Sequence, residues 1–119
     1  MISAGAILGA NARYWLGIWA AQKWGAAFPI GTLIINLTGS FVLGFFMTLA
    51  TERFMLDPRW RLLFAVGFLG AYTTFSTYTL ESFNLLSKGQ WLPGLFNLLG
   101  STVLGVVAVG IGVYLGRLL

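Results

Sequence analysis

Four long apolar stretches, each near the ~20 residues needed to cross the hydrocarbon core of a bilayer, most constrain what this chain can become. They cover about 3–21, 28–50, 60–86 and 93–115 of the 119 residues. Only 8% of the residues are charged and the mean hydropathy is +0.86, whereas a soluble domain carries about 25% charged residues. The connections at 22–27, 51–59 and 87–92 are short, so each helix is expected to run antiparallel to the one before it. The expected fold is a single all-α integral membrane domain over residues 1–119, with no soluble part. The N-terminal run has no basic region ahead of it and reads as part of the fold rather than as a signal peptide.

Composition also removes whole classes of function. The chain has neither Cys nor His, so disulfides, thiolate metal sites and the usual general base are absent. Its three acids, Glu52, Asp57 and Glu81, are too scattered to form an acid/base pair, which argues against an enzyme. The net charge of +4 is likewise dispersed and does not suggest nucleic acid.

Orientation in a bilayer follows the basic residues of short loops. Arg53, Arg59, Arg61 and Arg117 lie on one side, and Lys23 and Lys88 on the other. So small a bias permits insertion both ways. Four short helices also enclose little on their own, so a homodimer is expected, antiparallel if insertion is dual. A fixed topology with the N-terminus inside is the competing expectation, and charge counting does not separate the two.

The third stretch departs from a lipid-facing helix at Gly67–Glu81, GFLGAYTTFSTYTLE. It holds two glycines, five Ser or Thr hydroxyls and a carboxylate among aromatic rings. Gly weakens a helix through backbone entropy, and hydroxyls compete for its hydrogen bonds. Unwound backbone at membrane depth persists only where protein or a wet cavity satisfies it. A break is therefore expected over 70–74, near the middle of the third helix, the kind of place where transport proteins gather ion sites. The competing account is an unbroken helix whose small residues merely permit close packing.

Other polar groups inside the spans need partners as well. Thr32, Asn36 and Ser40 share one helical face, and Asn97 and Ser101 repeat the i, i+4 spacing. Such groups act either as glue between helices or as a permeation track. A track of this kind offers amide and hydroxyl donors without a carboxylate ring, so it does not favour cations. Phe75 and Tyr78, three apart, would present ring edges, which are positive and suited to a small hard anion. Arg13, costly inside a span, either enriches anions at a vestibule or fixes the fold through carbonyls, with more weight on the second. Glu81, the acid well inside a span, is placed to bond hydroxyls or line a pore end. Gly5/Gly9, Ser40/Gly44, Ser101/Gly105 and Gly112/Gly116 have the small-xxx-small spacing of close helix contacts. A small dual-topology multidrug/proton antiporter is the main alternative. Its chemistry requires a membrane carboxylate, and the first span carries Arg13 in place of an acid.

The chain resembles the Fluc (CrcB) family of fluoride channels over nearly its whole length. The resemblance rests on GAILGANARYW at 5–15, GTLIINLTGSFVLG at 31–44 and GFLGAYTTFST at 67–77. It implies an antiparallel, dual-topology homodimer in a bacterial inner membrane, with two fluoride pores and a structural sodium ion (Na+) at its centre. Gly70 and Thr73 would supply backbone carbonyls to the sodium, and the partner copy would supply the same pair. Phe75 and Tyr78 would face fluoride edge-on, Asn36 would be the pore asparagine, and Thr32, Ser76, Thr77 and Ser101 would be hydroxyls of the track. Tyr78 stands where the family usually has Phe, and Asn97 where it often has Tyr.

Overall fold

Apolar side chains drive these segments together only weakly in lipid, so the packing is set by where backbones can approach. The computed structural model describes residues 1–119 as helices and short turns without strands. Helix α1 is Ile2–Trp24, α2 is Ile30–Arg53, α3 is 58–72, α4 is Phe75–Ser87 and α5 is Trp91–Leu118. Helices α3 and α4 form one leg, so there are four legs with the third divided. Wider, i→i+5 turns occur within α2, α3 and α5, at Leu49–Arg53, Leu62–Leu69 and Phe96–Gly100.

Helices α2 and α5, of 24 and 28 residues, are long and apolar enough to cross a membrane by length and composition. Helix α1 has 23 residues, or about 34 Å at 1.5 Å per residue, but Asn11 and Arg13 dilute its apolar character. The division of the third leg leaves each half short of a full span. Most helix ends lie beyond the apolar stretches, because amphipathic ends such as Gln22–Trp24 continue the backbone hydrogen bonds.

The short turns are specified locally. Asp57 caps α3 by accepting from the Arg59 N–H at 2.9 Å, with Pro58 in the first turn, an arrangement that suits Pro because it has no N–H to orphan. That N–H and the Arg59 guanidinium hold the Asp57 carboxyl below its ordinary value, against a smaller opposing effect of desolvation. Gly89 takes φ +78 between α4 and α5, a conformation that glycine adopts without steric penalty.

Two pairs of legs make the closest contacts, and both pairs run parallel. On α1 and α3, a Cβ at Gly5 would overlap the Leu63 carbonyl, one at Gly9 the Phe68 carbonyl, and one at Gly67 the Ile2 carbonyl. On α2 and α5, Gly44 lies against Val109, Gly112 against Phe41 and Phe45, and Gly116 against Thr48. At one end of the second pair Phe28 and Phe96 meet at 5.8 Å. At the other, Arg117 grips Glu52 with bonds of 3.0 and 3.1 Å. The outer faces stay apolar: Phe83, Leu99 and Val103 of α4 and α5 are exposed.

Candidate functional site

The break falls at Thr73 and Thr74, whose backbones are extended at φ/ψ −81/157 and −146/119. Gly70 lies outside it, helical at −62/−39. The expected interruption over 70–74 is thus narrower, because the last turn, Gly70–Tyr72, keeps helical geometry while two adjacent β-branched residues leave it. Thr74 starts α4 by accepting from the Thr77 N–H at 3.3 Å, the role of an N-cap threonine.

Unwinding orphans the last carbonyls of α3, and their fates differ. The Leu69 carbonyl accepts both the N–H and the hydroxyl of Thr73, each at 3.0 Å. The Ala71 carbonyl accepts the Arg13 Nε at 3.1 Å, which puts a cation at the negative end of α3. The Gly70 and Thr73 carbonyls accept no hydrogen bond from the rest of the chain. Asn36 on α2 closes the remaining gap. Its Oδ1 accepts from the Thr74 N–H at 2.9 Å and its Nδ2 donates to the Thr74 carbonyl at 3.0 Å. One Nδ2–H of that amide is left over.

Around this break lies an open groove of about 490 Å³ between α2, the third leg and α5. Asn36, Gly70, Thr73, Phe75, Tyr78 and Ser101 all line it. No charged side chain does. Phe75 and Tyr78 are neighbours at 5.9 Å with ring planes 53° apart, yet their settings differ sharply. Phe75 is 77% exposed, whereas Tyr78 is buried. The Tyr78 hydroxyl donates to the Leu98 carbonyl on α5 and lies 3.1 Å from the Thr102 hydroxyl.

Behind Tyr78 runs a chain of polar contacts that the helical spacing only half revealed. The Ser82 hydroxyl donates to the Tyr78 carbonyl at 2.8 Å, and the Asn97 Nδ2 donates to Ser82 Oγ, also at 2.8 Å. Ser101 approaches Asn97 Oδ1 at 3.4 Å. Asn97 is 1% exposed, so its amide joins α4 to α5 instead of facing the groove. Tyr78 and Ser82 at i, i+4 were the available signal. The pairing across the turn was not.

Five residues singled out from the sequence stand apart from the groove. Thr32, Ser76, Thr77, Arg13 and Glu81 do not line it. Arg13 is engaged with the end of α3, and Ser76 is exposed on the first turn of α4. Glu81 lies in a smaller cavity of about 260 Å³ with Asn84, Lys88 and Gln90, where one carboxylate oxygen is enclosed without a hydrogen-bond partner.

A groove with no ionised side chain, whose mostly apolar walls (Leu43, Leu69, Val106 and Val109 among them) carry amide, hydroxyl, ring and carbonyl groups, is suited to weak ion contacts. Residues 1–113 match the family described as CrcB-like protein, Camphor Resistance (CrcB). A protein of Trichormus variabilis named fluoride-specific ion channel FluC is 54% identical over 118 residues, covering 98% of this chain and 86% of that protein. A relative of the same name from Chloroflexus aurantiacus is 52% identical over 116 residues, covering 98% and 92% respectively. Another from Sulfurihydrogenibium is 41% identical over 119 residues, covering 100% and 96%. With a match of this extent, the chain belongs to the CrcB-like protein family.

Proposed function

We propose that the protein is a fluoride-selective channel that lets fluoride leave the cell passively, working as an antiparallel, dual-topology homodimer with two pores in a bacterial inner membrane. The observation that carries this reading is the uncharged groove at the break, in a chain whose relatives are named for fluoride conduction. Fluoride is small and strongly hydrated. Replacing its water calls for several weak donors, since a fixed cation would trap it. The free Nδ2–H of Asn36 and the edge of the exposed Phe75 ring supply such donors. A single chain leaves the groove open, which supports completion by a second copy.

The donor set at the break fits a hard cation. Gly70 and Thr73 each carry a carbonyl with no partner in the chain, and carbonyl oxygens suit hard cations. In the dimer these two residues and their counterparts would hold the structural Na+, which supplies a fixed positive charge beside the anion path. Thr73 keeps its carbonyl accessible because its N–H and hydroxyl both turn back to Leu69. Asn36 fixes the adjoining backbone by bonding both polar groups of Thr74.

Ion efflux from proteoliposomes tests the reading. Fluoride efflux far above chloride efflux, unaffected by proton or sodium gradients, is the expected result. Uphill fluoride accumulation driven by either gradient would make the protein a coupled transporter and overturn the channel.

A further inference from the structure

At the end of the bundle where α2 gives way to α3, an apolar loop tip projects among arginines. Phe54, Met55 and Trp60 are 61%, 75% and 54% exposed. The tip is held in shape by backbone bonds from the Phe54 N–H to the Leu49 carbonyl at 2.8 Å and from the Leu56 N–H to the Ala50 carbonyl at 2.9 Å. Met55 has φ +50, the chain's single non-glycine residue with positive φ. Gly or Asn would occupy that conformation with less strain. A flexible apolar side chain is instead presented outward from it.

The arginines here divide into two sets. Arg59 is bonded to Asp57 at 3.2 Å and Arg117 to Glu52 at 3.0 Å. Arg53 and Arg61 have no carboxylate and no hydrogen-bond partner, so this end keeps two uncompensated cations. The Nε of Arg61 is enclosed by the protein. That enclosure holds the guanidinium close to the body, with its outer nitrogens left free.

We propose that this end binds the headgroup of an anionic phospholipid. Arg53 and Arg61 engage the phosphate, while Phe54, Met55 and Trp60 sit at the boundary with the acyl chains. Three physical fits support it. Guanidinium forks match phosphate oxygens in bidentate fashion, Trp favours the interfacial layer, and unpaired basic residues near a bilayer draw anionic lipids. The proposal needs the chain to be in a bilayer and does not depend on which ion it conducts.

Native mass spectrometry of the full-length protein, released from detergent with equimolar phosphatidylglycerol and phosphatidylcholine, tests this directly. The expected result is selective retention of phosphatidylglycerol. Arg53→Gln with Arg61→Gln should reduce that preference roughly 30-fold, the effect of two basic residues near the surface. Arg53→Gln alone, at an exposed position that does not endanger folding, should reduce it roughly 5-fold. Met55→Gly, which relieves the backbone strain, should weaken retention of both lipids. Equal retention of the two lipids by the unaltered protein would overturn the proposal, as would wild-type preference in the arginine variants. Displacement of phosphatidylglycerol by millimolar inorganic phosphate would identify a soluble-anion site instead.

Discussion

Asn36→Ala should open the third leg at its break. The substitution removes both bonds to Thr74, at 2.9 and 3.0 Å, and leaves a partly buried N–H and carbonyl with no replacement on α2. Interhelical side-chain hydrogen bonds in membrane proteins average about 0.6 kcal/mol and reach about 1.7. Two of them holding one residue should therefore contribute about 1–3 kcal/mol to keeping the segment closed. Local opening governs amide exchange, so exchange over residues 73–77 should speed up roughly 5- to 150-fold, at about 1.4 kcal/mol per tenfold. Hydrogen–deuterium exchange read by mass spectrometry on a peptide covering 70–80 measures this, with peptides of α5 as an internal control. Fluoride flux should fall with it. Asn36→Asp retains the acceptor for the Thr74 N–H but turns a lone pair toward the Thr74 carbonyl, and should fall between the two. Wild-type exchange in the Asn36→Ala peptide would refute the argument that Asn36 stitches the break, whatever happened to flux.

Arg13→Gln should lower stability by about 1.5–3 kcal/mol, the range for hydrogen bonds to charged groups, measured by denaturation in detergent. If Arg13 acted mainly on the anion supply, flux at low ionic strength would drop while stability stayed constant. Phe75→Ile, which removes a ring edge 77% exposed in the chain, should cut fluoride flux with folding intact. Tyr78→Phe should keep flux and lose about 0.5–1.5 kcal/mol of stability, because Thr102 still donates to the Leu98 carbonyl at 3.0 Å. The Asp57 cap should fail in acid. Its folded pKa is depressed, so the stabilisation is complete above the ordinary aspartate value and disappears as pH falls through the lower folded value. Exchange at the start of α3 should show that acid dependence, and Asp57→Asn should abolish it.

The break was legible because Gly67–Glu81 violates the composition of a lipid-facing helix. Its position was less so. Gly70 attracted the assignment through its freedom, yet Gly70 is helical and the chain leaves the helix at Thr73–Thr74, where Thr74 doubles as the cap of α4. The signal available was Thr74 itself, an N-cap residue type whose hydroxyl accepts from the backbone N–H three residues on. The phase of α4 after two extended residues cannot be read from periodicity, and Ser76 and Thr77, which the resemblance implies as track hydroxyls, do not line the groove of the single chain. Asn36, an amide inside an apolar stretch, needs partners on sequence grounds alone. Its partner, the backbone of a residue 38 positions away, was fixed only by packing. The Asn97–Ser82 bond is hidden for the same reason: an i, i+4 pattern indicates a shared face and is silent on which helix that face meets.

The two parallel pairs bear on the order in which the molecule is made. Each leg's closest neighbour is separated from it by at least one intervening leg, since α1 meets α3 and α2 meets α5. A nascent chain carrying only α1 and α2 therefore lacks the partners for both glycine faces. The first snug pair becomes available when α3 emerges from the ribosome, and the second must wait for α5, the fourth leg. Assembly consequently waits for the later legs, and a chain cut short before Gly105 would strand α2 without the Val109 surface against which Gly44 is shaped.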